Sequence, residues 1–399
     1  MGDRRADHAC HGGIFPPPIP FPSRPPKAVA NPDGRHGRRP SGRDACGDRA
    51  RESALATGAG SPVNLRDAPT PSRMHPLRIF SDSRLTEDAE RLLREGVAPH
   101  SLIRARRVVS SVLAKGEPDP AFLEAEIAFG QPDLADIERS ERLRWVHLSS
   151  AGYTRYDTEA FRTLARSRGL RLTTSSHVYA QACAEHVFAF LLAQSRGLVP
   201  ALRTRTPNGS PEWERLRAMP RSPSGQDILI LGYGTIATHL IGLLQPFHAR
   251  VSAHRRQPRG DELVPIVPSD RLDEALGRAD HVIDILPDNA GSRGFFDTAR
   301  FAAMKPGAVF YNIGRGTTVD QGGLLAALRS GRLGAAWLDV TDPEPLPEDH
   351  PLLAEPRCHI TPHTAGGHHG EAETLVSHFL ANLRRYETGG DLVDEVNNR

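Results

Sequence analysis

Three residues far apart in the chain have the makings of an acid–base site. Arg315 stands in Tyr311-Asn-Ile-Gly-Arg-Gly316, Glu344 in Leu338-Asp-Val-Thr-Asp-Pro-Glu-Pro-Leu346, and His363 in His359-Ile-Thr-Pro-His-Thr-Ala-Gly-Gly367. Each lies just beyond an apolar run that reads as a strand. A guanidinium can clamp a carboxylate and polarise a carbonyl. An imidazole titrates near neutrality, so it can give or take a proton there. A carboxylate beside it fixes the tautomer and raises the pKa. Taken singly, an Arg, Glu or His at a strand end is more often a surface or ion-paired residue. Their appearance together, in order along one series of strands, is what points to catalysis.

A second motif offers a place for an anion. Leu229-Ile-Leu-Gly-Tyr-Gly-Thr-Ile-Ala237 reads G-x-G-x-x-A between a buried strand and an amphipathic helix. Gly232 permits the tight turn out of the strand. Gly234 leaves no Cβ where a pyrophosphate must approach, and Ala237 allows close helix–strand packing. Thr235 and Ile236 open the helix, whose free N–H groups face the anion. Alone, such a turn can be plain turn chemistry; in this setting it predicts a bound dinucleotide. About 20 residues on, a carboxylate usually grips the ribose 2′-OH of NAD. Here the strand ends Val251-Ser-Ala-His-Arg-Arg-Gln-Pro-Arg259 instead. Arg255 and Arg256 suit a 2′-phosphate, so NADP is favoured and NAD stays open. Ordinary surface arginines are the plainer reading in so Arg-rich a chain. Beside a nicotinamide, the Arg/Glu/His set is what hydride addition to a ketone requires, because negative charge builds on the carbonyl oxygen.

These groups need strands to carry them. Short apolar runs at 77–80, 107–111, 126–129, 143–148 and 170–173 alternate with helix-like or loop segments, the first of them a helix over about 85–95. Residues 179–196 are apolar enough for a largely buried helix, and 204–225 read as a polar, Pro-bearing link. Near-continuous apolar runs follow at 227–231, 250–253, 281–286, 308–313 and 335–340, with helices at 237–244 and 323–329 between them. Such alternation predicts an α/β fold of two parallel-sheet domains, Rossmann-like or flavodoxin-like, with the active-site cleft between them. Residues 74–200 and 367–399 form the expected substrate domain, and 201–366 the expected dinucleotide-binding Rossmann domain.

From about residue 75 to the C-terminus, motif order and spacing resemble those of the D-isomer-specific 2-hydroxyacid dehydrogenase family. The resemblance implies hydride transfer between NAD(P)H and a small 2-oxo or D-2-hydroxy acid. It implies that Arg315 orients the substrate, that Glu344 partners the imidazole and that His363 is the acid/base. It further implies that Ala151 and Gly152, in Ser149-Ser-Ala-Gly-Tyr153, offer backbone amides to the substrate carboxylate. Leu286, Pro287 and Ser292 match the family's cofactor-lining stretch, with Ser in place of the more usual Thr; Ile313 goes with them, and Asp339 matches the position that bonds the nicotinamide carboxamide. A homodimer is implied as well. His254-Arg-Arg256 looks most like the NADPH-using glyoxylate/hydroxypyruvate reductase branch. His177 stands where the family commonly has Gly, and could touch either the substrate or only the hinge. Related scaffolds also serve as a dinucleotide-sensing regulator of corepressor type, or as a phosphite- or formate-type dehydrogenase. The latter need extra anion-binding side chains in the first domain, and the sequence offers no evident ones.

Composition narrows the partners. The 399 residues suffice for two cores. Residues 1–73 hold 12 Pro and 9 Gly, with 12 Lys and Arg against 7 Asp and Glu. This stretch is expected to be disordered, or to be an upstream extension of a chain naturally begun at Met74; a nucleic-acid-binding arm is the less economical reading. The remainder carries 38 basic against 41 acidic residues, which argues against a nucleic-acid partner. Four cysteines without C-x-x-C spacing suggest neither a disulfide framework nor a metal site. His368-His369 with Glu371 reads as a solvated helix start rather than metal ligands. Glu185-His186 reads as satisfied core or interface polarity, and Trp213 as packing. The sequence contains no apolar run of about 18 residues to span a membrane, so a cytoplasmic enzyme is expected.

Overall fold

The computed structural model describes residues 75–111 and 113–396; the expected extension over 1–73 lies outside them. Five strands make the first sheet: β1 (Arg78–Ser81), β2 (Ser101–Arg104), β3 (Ile127–Gly130), β4 (Trp145–Leu148) and β5 (Arg171–Thr173). All pair in parallel, in the order β2-β1-β3-β4-β5. Seven more make the second: β6 (Asp227–Leu231), β7 (Arg250–His254), β8 (Ile266–Val267), β9 (His281–Asp284), β10 (Ala308–Asn312), β11 (Leu333–Leu338) and β12 (Cys358–Ile360). They too are parallel, in the order β12-β11-β10-β9-β6-β7-β8. The chain runs outward one way from β6 to β8 and the other way from β9 to β12. The strand order therefore reverses between β6 and β9, and ligands of open α/β sheets bind beyond the strand ends at such a point.

Burial on both faces explains the apolar strands: β9 and β10 are buried throughout. The helix Ser176–Ser195 runs between the two sheets. It packs along the helix Thr235–Leu244 and touches the helix Glu371–Glu387. That last helix returns to the first sheet, where Phe379 stacks on Phe129 at 4.6 Å and on Trp145 at 5.4 Å. Beyond it, Glu395 bridges Thr173 and takes two hydrogen bonds from Arg171, at 2.7 and 2.6 Å.

The structure corrects two expectations. Residues 107–111 are not a strand. Ser101–Arg104 pairs with β1 instead, and Val109 is buried because its N–H docks on the carbonyl of Asp82 at 2.8 Å. The polar link over 204–225 contains a helix, Pro211–Ala218, started by the Ser210 hydroxyl, which accepts the N–H of Trp213. Trp213 packs under the guanidinium of Arg217, 4.5 Å from the ring centroid. Two short strands, β8 and β12, had no periodicity to reveal them. His177, whose contacts the sequence left open, bonds Asp394 through both its ring and its backbone N–H.

Candidate active site

The ends of β6, β9, β10 and β11 gather three adjoining cavities. The central one, about 390 Å³, lies between the Gly232–Ile236 turn and the 285–289 and 313–315 segments. Gly232 has φ +101°, and a Cβ there would stand 2.9 Å from the carbonyl oxygen of Ile285; two constraints thus demand glycine. Gly234 caps the Thr235–Leu244 helix, and a Cβ there would meet nothing within 4 Å. The space before it is open, as an approaching pyrophosphate requires. Gly232, Tyr233, Leu286, Pro287 and Asn289 also line an outer cavity of about 530 Å³, and Ala151, Gly152, Ile236, Ile313 and Arg315 also line an inner one of about 450 Å³. A groove with helix N–H groups at its middle and arginines at one end fits an extended dinucleotide with an anionic centre. NAD(P) would be held by the Gly232–Ile236 turn, by Leu286 and Pro287, and at its outer end by the arginines.

At that outer end stand His254, Arg255, Arg256 and Arg259, with Ser292 opposite. Ser292 is buried, and its hydroxyl accepts the N–H of Asn289 at 3.0 Å while donating its one proton to the Pro287 carbonyl, so it shapes this wall. Arg255 meets Glu262, a carboxylate that the strand-end motif stops short of, at 2.9 Å.

The inner cavity contains Arg315, Asp339 and His363. Arg315 lies over Gly152, where a Cβ would run into its guanidinium. Its carbonyl is held by Asn312 Nδ2 at 3.0 Å and the Thr318 hydroxyl at 2.7 Å. That hydroxyl is also 2.6 Å from buried Asp284, and one hydroxyl proton cannot serve both acceptors. Burial pushes the Asp284 carboxyl up to about 7, and in its protonated form it donates to Thr318 and frees Thr318 for Arg315. His363 has φ +52°, rare for a residue with a side chain. Its N–H is held by the carbonyl of Asp339 at 2.9 Å, and its Nδ1 by Glu344. The carboxylate thus bonds one imidazole nitrogen, which leaves Nε2 for chemistry. Asp339 is buried and accepts the N–H groups of Thr364 and Ala365, both at 2.9 Å, and the Thr361 hydroxyl at 2.5 Å. It braces the loop that carries His363. His186 in turn bonds Thr361 at 3.2 Å, so it is satisfied polarity one layer behind that loop.

The Ser149–Tyr153 loop forms the other wall. Among the described residues, the N–H groups of Ala151 and Gly152 have no acceptor. Buried Gln131 fixes the loop from below, donating to the hydroxyls of Ser149 at 3.1 Å and Ser150 at 3.0 Å; Ser150 then donates to the Gly152 carbonyl at 2.6 Å. The Tyr179 hydroxyl donates to the Ser149 carbonyl at 2.7 Å. Sequence reasoning missed Gln131, Tyr179, Glu262 and also Arg84, which adds a second guanidinium to the cavity wall. Arg84 follows the end of β1, a position whose ligand-facing geometry was the only available signal.

The fold is that of an NAD(P)-binding α/β oxidoreductase. The family described as D-isomer specific 2-hydroxyacid dehydrogenase, NAD binding domain, matches residues 188–365. Glyoxylate/hydroxypyruvate reductase B of Klebsiella pneumoniae is 31% identical over 279 residues, covering 66% of this chain and 82% of that protein. The human glyoxylate reductase/hydroxypyruvate reductase is 32% identical over 225 residues, 55% of this chain and 69% of that one. Among solved structures, the D-isomer specific 2-hydroxyacid dehydrogenase of Xanthobacter autotrophicus Py2, in complex with NADPH and MES, superposes with a TM-score of 0.65 at 25% identity, covering 82% of this chain and 99% of that one. The chain belongs to the D-isomer-specific 2-hydroxyacid dehydrogenase family and is an NAD(P)-dependent oxidoreductase acting on the CH–OH group of hydroxyacids.

Proposed function

We propose that the protein reduces a small 2-oxo acid of the glyoxylate or hydroxypyruvate kind with NADPH, using Arg315, Glu344 and His363. The observation that carries this reading is the His363–Glu344 bond in the cavity that Arg315 shares with the unpaired amides of Ala151 and Gly152. A nicotinamide dinucleotide held along the Gly232–Ile236 turn would supply the hydride for the carbonyl carbon. The substrate carboxylate sits on the Ala151 and Gly152 N–H groups and the Arg315 fork. As charge gathers on the carbonyl oxygen, Arg315 stabilises it and His363 Nε2 delivers a proton, giving the 2-hydroxy acid. Glu344 holds the imidazolium in place until then. Ile313 and Asp339 line the inner cavity, where the nicotinamide and its carboxamide belong.

NADP is favoured because Arg255 and Arg256 line the outer cavity, and the Xanthobacter relative was solved with NADPH. We take 74–200 with 367–399 as the substrate domain and 201–366 as the dinucleotide domain. The family relation supports a homodimer; the apolar side chains of Leu198, Leu202 and Met219, exposed between the two sheets' chain segments, would suit its interface. Among the described residues no helix is long and apolar enough to cross a membrane, and Cys183 and Cys358 are free thiols, which suits a cytoplasmic setting.

His363→Ala is expected to cut kcat for glyoxylate by about 10²–10⁴-fold, with NADP⁺ affinity retained in a binding titration. Near-normal turnover would remove His363 from the mechanism. Replacing Arg255 and Arg256 together by Ala should raise KM for NADPH far more than for NADH. An unchanged ratio of the two would end the NADP assignment.

A further inference from the structure

We propose that Glu262 divides the work of the two arginines: it fixes Arg255 as a wall of the outer cavity and leaves Arg256 to meet a 2′-phosphate. The inference rests on the NADP reading above and names which residue sets the selectivity.

Arg255 Nη1 donates to Glu262 Oε1 at 2.9 Å, and the two side chains are 16% and 6% exposed. The same carboxylate accepts the N–H groups of Arg259 at 2.7 Å and Gly260 at 2.8 Å. These bonds, that from Arg259 foremost, hold the Glu262 carboxyl below the usual glutamate range, so it stays ionised near neutral pH. The Arg255 guanidinium lies 5.5 Å from the ring centroid of Tyr233, the middle residue of the G-x-G turn. Tyr233 closes the clasp by accepting the N–H of Leu263 on its hydroxyl at 2.7 Å. Arg255 is thus neutralised, its fork partly used and one face covered.

Arg256 has none of these contacts. It is exposed, and among the described residues its side chain has neither a hydrogen-bond nor an ion-pair partner. Both arginines line the outer cavity, whereas Glu262 is not among its walls. A phosphate carries close to two negative charges and gains most from a cation not already compensated. Glu262, just behind Arg255, also repels that phosphate. Arg256 therefore carries the discrimination, and Glu262, a positioning residue that acts through Arg255, limits it.

The test is binding without substrate: dissociation constants of NADP⁺ and NAD⁺, by calorimetry, for the full chain and for Arg255→Gln, Arg256→Gln and Glu262→Gln. Arg256→Gln should reduce the preference for NADP⁺ by about tenfold or more, the worth of a charged hydrogen bond. Arg255→Gln should reduce it by about threefold or less. Glu262→Gln should increase it by about three- to tenfold, since a repelling charge is gone. A merely structural role for Glu262 would weaken both cofactors alike and leave the ratio still. An Arg255→Gln loss equal to or larger than that of Arg256→Gln overturns the division, as does an unchanged or lower ratio in Glu262→Gln. The arginine pair decides alone if the Glu262 variant does not fold. Wild-type protein that binds neither dinucleotide would sink the cofactor reading itself, a result distinct from these.

Discussion

Gly152 shows how little room the inner cavity leaves beside Arg315. Its missing side chain is what lets the Arg315 guanidinium lie against the loop whose amides are free. Gly152→Ala should therefore push the guanidinium aside and raise KM for the 2-oxo acid by about tenfold or more, because a misplacement of about 1 Å in such a clamp is costly. Steady-state kinetics with glyoxylate would check it, and an unmoved KM would separate Arg315 from that loop. The residues at the centre were legible because each stands in a motif at the end of an apolar strand. Their supports were not. Gln131 and Glu262 are ordinary polar residues in sequence, and only folding brings the one beneath Ser149 and Ser150 and the other onto Arg255. His177 is the extreme case, since Asp394 lies 217 positions away.

Strand ends place these groups, and Asp284 at the end of β9 does so at a cost that depends on pH. An exposed Asp titrates near 4, whereas burial raises Asp284 to about 7. Below the lower value both folded and unfolded chains are protonated. Between the two, the unfolded chain ionises freely while the fold keeps the proton, so stability falls as pH rises through this window and levels off above it. Asp284→Asn supplies a permanent donor to Thr318 and removes that slope. Chemical denaturation of both proteins from pH 4 to 8 should show the wild type losing ground up to about 7, by at most about 1.4 kcal/mol per pH unit. Parallel curves would mean that Asp284 is ionised in the fold. The elements themselves were largely readable, because strands buried on both faces must be apolar. The exceptions have physical causes. The apolar pair Val108 and Val109 imitated a strand while the half-exposed Ser101–Arg104 formed it, and a two-residue edge strand such as β8 carries no pattern.

The molecule as a whole is stitched by its C-terminal helix. Phe379, fully buried, stacks on aromatic residues of β3 and β4. Phe379→Ala should cost about 3–5 kcal/mol, read in hydrogen exchange as lost protection in β3 and β4, with β6 and β9 much less affected. Uniform loss across both sheets would show one cooperative unit instead. The same stitch has a temporal side. Everything the second sheet needs lies in one unbroken stretch, but the first sheet waits for residues 371–396, which are made after it. On the ribosome the half synthesised earlier is thus the half completed later. Until then Phe129 and Trp145 lack their cover, and it is this aromatic face that a chaperone would have to shield.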